Sequence, residues 1–239
     1  MRILVSFLLV LAALAAPVSA ADTNRPNIVV FIADDHSQLD SQAYGSAEVR
    51  TPNMAKLAAE GLRFTHAFVA SPACGPSRTA LLTGLWPARN GAEPNHKPKN
   101  PGVSSLPPVL RASGYEVAVI GKVAHNNYAK DHGFDSIEGP NIGFDNTAAV
   151  AKFLATRESS KPLCLLVGTR HPHVPWSTER TYEPGAVKIP PSHFDTADTR
   201  EERPAYLRVC TESQRERRAA RILTAAMRMK VSEESVRYS

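Results

Sequence analysis

Apolar residues along this chain fall in short runs separated by polar turns. Residues 27–33, 115–120 and 163–167 are dominated by Val, Ile, Leu and Phe, and residues 27–33 form a continuous apolar run. Such runs are typical of strands buried on both faces of a parallel sheet. A fourth run, Phe64 to Ala70, predicts another strand.

Helical signals lie between these runs. Thr51 can cap a helix that begins at Pro52 and ends at Gly61, and a second helix covers Leu106 to Ala112. Residues 145–157 and the apolar stretch after Cys74 predict two more. Strands that alternate with helices indicate an α/β fold, with a largely parallel sheet flanked by helices.

Three of the predicted strands end in charged or imidazole side chains. In open α/β sheets, ligands bind outside the carboxyl ends of the strands. Carboxylates, cations and imidazoles together suit a metal-assisted site for an anionic ester. Each group alone also has an ordinary interpretation: capping or solvated acids, a solvated lysine, or a structural histidine before proline. The groups are Asp34 with Asp35, Lys122 with His125, and His171 with His173.

Cys74 occupies a stiff turn between Pro72 and Pro76, immediately before the predicted helix. A helix amino terminus favours negative charge, and Arg78 follows about one turn later. The alternative interpretation is a small buried cysteine, which is the usual environment of a free thiol.

Composition adds few constraints. The chain has 239 residues, a net charge of +5 and 43% apolar residues, which is ordinary for a globular protein. The odd number of cysteines argues against a disulfide framework, no pair has zinc-ligand spacing, and Cys164 is expected in the core. From Arg203 onward, nine Lys or Arg residues face four Glu. This stretch could be a basic helix that binds nucleic acid or polyanions, but we favour a solvated basic end and no nucleic-acid partner.

The first twenty residues resemble a targeting segment. Arg2 precedes the apolar run Ile3 to Ala16, and Val18-Ser19-Ala20 forms a small-residue cleavage site. The run is short for a membrane span, although a retained amino-terminal anchor is the alternative. We therefore expect a secreted or periplasmic protein without a stable membrane span.

Cys74-Gly75-Pro76-Ser77-Arg78, followed by Thr79-Ala80-Leu81-Leu82-Thr83-Gly84, is similar to the signature of the type I sulfatases. These enzymes belong to the alkaline-phosphatase-like superfamily. The resemblance covers residues 25–176 and includes Arg25-Pro26-Asn27, Thr51-Pro52-Asn53-Met54, Gly121-Lys122-Val123-Ala124-His125 and His171-Pro172-His173-Val174-Pro175. It implies an alkaline-phosphatase-like fold and a sulfatase acting on sulfated carbohydrates.

The resemblance also implies roles for individual residues. Cys74 would be oxidised to formylglycine by a formylglycine-generating or anaerobic sulfatase-maturating enzyme. Asp34, Asp35 and the modified Cys74 would hold Ca²⁺, and Arg78 would steady the nucleophile. Lys122 and His173 would bind sulfate, and His125 would help the sulfated intermediate collapse to the aldehyde.

Residues 48–53 and 90–96 resemble the sulfamidase (heparan N-sulfatase) branch, whereas the Lys122-to-His125 spacing is closer to iduronate sulfatases. Family members continue into a later strand whose Asp-Asn or Asp-His pair completes the calcium site, and this sequence stops before it. We therefore expect a truncated fold: a signal peptide over 1–20, the amino-terminal part of the catalytic domain over 21–206, and a basic tail over 207–239 that a frameshift would explain. An inactive fragment, or a phosphate or phosphonate hydrolase of the same superfamily, are the alternatives.

Overall fold

The centre of the fold is one parallel sheet. The computed structural model describes residues 25–125, 128–138, 146–176, 179 and 181–212. Within them, the strands are β1 (Ile28–Ile32), β2 (Glu116–Gly121), β3 (Ser136–Glu138) and β4 (Leu163–Gly168). Their order in the sheet is β1-β4-β2-β3, and each neighbouring pair is parallel. The predicted α/β class is confirmed.

The helices of the described residues are α1 (Pro52–Glu60), α2 (Cys74–Thr83), α3 (Pro87–Asn90), α4 (Leu106–Ala112), α5 (Thr147–Thr156) and α6 (residues 197–212). Helices α2 and α4 pack on one face of the sheet, and α5 packs on the other. Within the same residues, short 3-10 turns cover Gln38–Asp40, Gln42–Tyr44 and Tyr128–His132. Pro52 starts α1 as predicted, but the side chain of Thr51 does not cap it and instead accepts a hydrogen bond from the backbone of Gln42 at 2.7 Å.

Alternating side chains of the central strands divide the core into two layers. Val117 and Val119 of β2 pack on one face with Leu82 of α2. Ala118 and Ile120 point to the other face, where Val150 and Phe153 of α5 cover them. A third cluster joins Leu207 and Cys210 of α6 to Val49 and Val187. The predicted core position of Cys164 is confirmed, since this residue is buried in the first layer.

The predicted strand over Phe64 to Ala70 is wrong. This segment is irregular, and the side chain of Phe68 is 89% exposed. Among the described residues, the sheet places no strand beside it. A strand needs a partner for its backbone groups, and an apolar run alone does not reveal whether one is available.

The predicted signal peptide over residues 1–20 lies outside the described residues, as does the basic tail from residue 213 onward. Residues 207–212 belong to α6, and Leu207 is fully buried. No helix in the described part of the chain is long and apolar enough to cross a membrane.

Candidate active site

The carboxyl ends of β1, β4 and β2 lie side by side because the strands are parallel and in register. Ile32 pairs with Gly168, and Gly168 pairs with Gly121. The segments that follow are joined by backbone hydrogen bonds from Asp34 to His171 at 3.3 Å and from Lys122 to Gly168 at 2.8 Å. The three polar groups that follow these strands therefore occupy one edge of the sheet.

Gly168 allows the loop after β2 to pass close to β4. A Cβ atom built on Gly168 would lie 1.9 Å from the carbonyl oxygen of Lys122, a distance that no side chain tolerates. Gly121, whose φ is +72°, gives the chain the left-handed turn that starts this loop. These two glycines place Lys122 next to Asp34 and Asp35, which form the acidic turn after β1.

Asp34 is buried and paired with two cations. Its Oδ1 atom lies 2.9 Å from Nη2 of Arg78, and Lys122 Nζ contacts its Oδ2 atom. Arg78 also donates to the carbonyl oxygen of Lys122. Burial by itself raises the pKa of Asp34, but the charges and hydrogen bonds of Arg78 and Lys122 outweigh it and hold this pKa below 3.8. Asp34 is therefore ionised at neutral pH, and Arg78 and Lys122 both contact it in this structure.

Asp35 differs from its neighbour. Its side chain is half exposed, and its φ of +62° lies in the left-handed region that few non-glycine residues adopt. Nε2 of His173 lies 3.8 Å from its Oδ2 atom. The loop after β4 thus brings His173 to the acidic turn.

Cys74 is the first residue of α2, which ends at Gly84 in a left-handed cap. The backbone N–H of Gly75 donates to Oδ1 of Asn95 at 3.0 Å, and the Cys74 Sγ atom lies 4.0 Å from Oδ1 of Asp35. Burial raises the pKa of the Cys74 thiol, and the charge of Asp34 raises it further, against the opposing effect of Lys122. The unmodified residue is therefore a protonated thiol at neutral pH.

His125 is buried beside the cysteine turn. Its Nε2 atom lies 2.7 Å from Nδ1 of His96, and the two rings pack edge to face. Its Nδ1 atom is buried and has no hydrogen-bond partner among the described residues. Burial, followed by the charges of Lys122 and His96, lowers the pKa of His125 to about 4, so the imidazole is neutral at pH 7.

A cleft of about 700 Å³ opens at this edge. Its lining combines polar and apolar side chains. The polar ones include Asp34, Asp35, Cys74 and Arg78, and the apolar ones include Phe68, Leu81 and Trp86. The dimensions suit a small ligand with one anionic group and one less polar face.

The acidic turn offers the oxygen atoms that hard cations prefer as ligands. Asp34 and Asp35 provide carboxylate oxygens, which Ca²⁺ prefers, but Ca²⁺ takes about 6–8 oxygen ligands and this turn provides only part of that number. Ligand atoms of Asp34, Cys74 and His173 lie within 4.8 Å of one another. His173 therefore lies within reach of the same group, and ligation of Ca²⁺ by Asp34, Asp35 and the modified Cys74 stays a prediction.

Sequence reasoning missed three residues that contact the site. Asn95 and His96 lie in the stretch over residues 90–96, whose resemblance to sulfamidases assigns them no role, yet they contact Gly75 and His125. Tyr206 of α6 bonds to the backbone of Asp35. No local signal identifies these residues, because each acts on a partner distant in sequence.

A family model and curated proteins of similar sequence agree on one family. The family model described as Sulfatase matches residues 26–213. The chain is 32% identical over 160 residues to an ulvan-active sulfatase of Formosa agariphila, covering 65% of this chain and 32% of that protein. It is 31% identical over 180 residues to an N-acetylglucosamine-6-O-sulfatase of Bacteroides thetaiotaomicron, with the same shares. The chain thus spans about a third of the length of these relatives.

Solved structures agree with this assignment. A protein in complex with its substrate D-glucosamine-2-N,6-O-disulfate aligns with a TM-score of 0.57 and 28% identity, over 65% of this chain and 36% of that chain. The phosphonate monoester hydrolase of Agrobacterium radiobacter aligns with a TM-score of 0.68 over 87% of this chain and 60% of that chain; at 17% identity, it shows the shared fold alone. Since the family model covers most of the chain, this protein belongs to the sulfatase family.

Proposed function

We propose that this chain carries the nucleophile-bearing and sulfate-binding part of a sulfatase that removes sulfate from sulfated sugars. One observation carries the proposal: in a chain of the sulfatase family, the turn of Cys74 lies beside Arg78, Lys122 and His173 at a single sheet edge. The relatives' names, which refer to ulvan and to N-acetylglucosamine 6-sulfate, support a sugar substrate. The resemblance to sulfamidases extends the proposal to N-sulfate.

The environment of Cys74 favours chemistry other than that of a thiolate. Its thiol pKa is raised, and a protonated thiol is a poor nucleophile. Conversion of Cys74 to formylglycine by a maturation enzyme would provide, as the aldehyde hydrate, an oxygen nucleophile in its place. Arg78 is buried one turn further along α2 and would hold that group in a fixed orientation.

Cations around the turn would compensate the charge of the substrate. Arg78, Lys122 and His173 can face the oxygens of a sulfate group, where preorganised positive charge stabilises the transition state. Asp34 and Asp35 would hold Ca²⁺, which adds further positive charge at the same place when bound. The neutral imidazole of His125 can accept a proton near the nucleophile.

The overall reaction balances with one water molecule. The bond between sulfur and the bridging oxygen or nitrogen of the sugar breaks, water supplies the new oxygen of sulfate, and the sugar atom takes a proton. Without a group that attacks sulfur, neither the metal nor the cations complete this exchange. Cys74 is therefore the residue on which the proposal depends.

An activity assay tests the proposal. The full chain, produced together with a formylglycine-generating enzyme, is assayed with Ca²⁺ on 4-nitrophenyl sulfate, N-sulfoglucosamine and N-acetylglucosamine 6-sulfate. We expect sulfate release that falls about a thousandfold or more in Cys74→Ala. Lys122→Ala should raise KM, whereas Lys56→Ala should not, because Lys56 is exposed on α1 and lies 3.7 Å from Glu60.

Three results would contradict the proposal in different ways. Turnover of a phosphonate monoester with none of the sulfates would favour the hydrolase alternative, whose fold this chain shares. Binding of sulfated sugars without turnover would indicate an inactive glycan-binding fragment. No modification of Cys74 by mass spectrometry, in a host that matures other sulfatases, would exclude the formylglycine mechanism.

A further inference from the structure

Tyr206 of α6 reaches the acidic turn although 171 positions separate it from Asp35. Its hydroxyl donates to the carbonyl oxygen of Asp35 at 3.2 Å and accepts from the backbone N–H of Ser37 at 3.1 Å. The same hydroxyl thus holds the backbone on both sides of His36. The ring itself is buried.

The backbone at Asp35 needs such support. A residue with a Cβ atom and a φ of +62° keeps this conformation only where its surroundings impose it. The two hydrogen bonds of Tyr206 hold the backbone directly after the φ torsion of this residue, one at its own carbonyl group and one two residues later. Tyr206 therefore opposes relaxation of the turn toward an extended backbone.

The ring of Tyr206 also supports the loop after β4. It packs edge to face against Trp176, with ring centroids 5.4 Å apart. The indole N–H of Trp176 donates to the carbonyl oxygen of Pro172 at 2.7 Å, next to His173. The contact chain from Tyr206 to Trp176 to Pro172 therefore ends beside the histidine that faces Asp35.

The position of Tyr206 is fixed in turn by Arg203. The guanidinium of Arg203 lies 5.3 Å from the centre of the tyrosine ring and pairs with the buried carboxylate of Asp40. Asp40 belongs to the 3-10 turn that follows the acidic turn. Arg203 thus holds α6 against the segment after β1, which is the segment that Tyr206 contacts.

We propose that Tyr206 is a positioning residue for the site: its hydroxyl fixes Asp35, and its ring fixes the loop of His173 through Trp176. The ligands assigned to Asp35 and His173 rest on the proposed function, but the positioning of these residues by Tyr206 does not. The inference assigns α6 a part in the site, because Asp35 and His173 keep their relative geometry only while α6 is docked.

Hydrogen exchange measured on the full chain without metal tests this inference. Tyr206→Phe keeps the ring and removes the hydroxyl. Tyr182→Phe is the matched control, because the Tyr182 hydroxyl contacts Thr211 of the same helix at 3.0 Å, and its ring packs on the same cluster. We expect exchange in peptides covering residues 34–38 to rise about tenfold in Tyr206→Phe and to change less than about twofold in Tyr182→Phe. Equal exchange in the two variants would overturn the inference.

A calorimetric titration with CaCl₂ alone connects the geometry to binding. We expect Tyr206→Phe to weaken Ca²⁺ binding about fivefold to tenfold, with Tyr182→Phe close to the unsubstituted chain. Ca²⁺ binding that is unchanged in Tyr206→Phe would overturn the part of Tyr206 in the site. If the unsubstituted chain takes up no Ca²⁺, the metal role in the proposed function fails, and the exchange result alone decides for or against Tyr206.

Discussion

The carboxylate of Asp34 and the guanidinium of Arg78 form a buried ion pair at 2.9 Å. The pair joins the end of β1 to the first turns of α2, so it links the acidic turn to the helix that begins at Cys74. A second cation, Lys122, contacts the other oxygen of the same carboxylate. Asp34 therefore contributes to the stability of the fold as well as to the chemistry proposed for this edge.

Asp34→Asn is expected to destabilise the chain strongly. The substitution leaves the buried Arg78 and the partly buried Lys122 without a negative partner, and breaking a buried ion pair typically costs about 3–5 kcal/mol of unfolding free energy. Asp35→Asn is the matched control, because half of that side chain is exposed and the expected change is within about 0.5 kcal/mol. Urea unfolding at pH 7 measures both. Similar losses in the two variants would show that the ion pair contributes little.

The contribution of Asp34 to the unfolding free energy should decrease as the pH is lowered. Its pKa in the folded chain lies below 3.8, so the folded state holds the ionised form more tightly than the unfolded state does. The stabilisation is therefore complete above pH 3.8 and declines as the pH falls through the folded pKa. The difference in unfolding free energy between the unsubstituted chain and Asp34→Asn should be flat from pH 7 to 5 and shrink below pH 4. A difference that grows on acidification would contradict the assignment.

His132 should reduce the stability of the fold between pH 6.5 and about 4, above the pH range in which Asp34 titrates. Burial lowers its pKa to about 4, and its Nδ1 atom lies 2.8 Å from the hydroxyl oxygen of Ser105. Between pH 6.5 and about 4 the unfolded chain binds a proton that the folded chain excludes, so stability falls as the pH is lowered through this range. His125 titrates in the same window. His132→Gln should flatten the slope, as measured by urea unfolding at several pH values, and an unchanged slope would exclude His132 as a source.

Gly168→Ala should disrupt the edge that carries the site. The added Cβ would clash with the carbonyl carbon and oxygen of Lys122, and two backbone segments must separate to accommodate it. Overpacking of this kind costs about 1–3 kcal/mol or more. Gly102→Ala is the control, because a Cβ there meets nothing within 4 Å. Thermal unfolding of both variants checks the prediction; a stable Gly168→Ala chain would mean that the loop after β2 has room to move.

The three cysteines should differ sharply in reactivity. Cys164 and Cys210 are buried, whereas Cys74 is partly exposed at the cleft. In the folded, unmodified chain, iodoacetamide should therefore label Cys74 alone. The labelling rate should still be rising above pH 9, because the thiol pKa is raised from 9.0. Mass spectrometry of the peptides gives the site and the rate; rapid labelling at pH 7 would indicate a thiolate instead.

The sequence carries most of the fold and part of the site. The continuous apolar runs of β1 and β4 reveal buried parallel strands, and parallel strands necessarily place their following loops at one edge. The segment over Phe64 to Ala70 shows the limit of the same reasoning, because an apolar pattern does not specify a pairing partner. The contact between His96 and His125, and the contact between Asp35 and Tyr206, depend on how distant segments pack, which no spacing along the chain encodes.

The sheet order has a consequence for how the site is assembled during synthesis. Of the described strands, β1 is synthesised first, but its neighbour in the sheet is β4, whose residues emerge more than a hundred positions later. Closing so long a loop is slow, and the acidic turn has no fixed place until that pairing forms. The turn of Cys74 is therefore synthesised well before the edge that will hold it, and the maturation enzyme proposed above would have access to this segment before β4 pairs with β1.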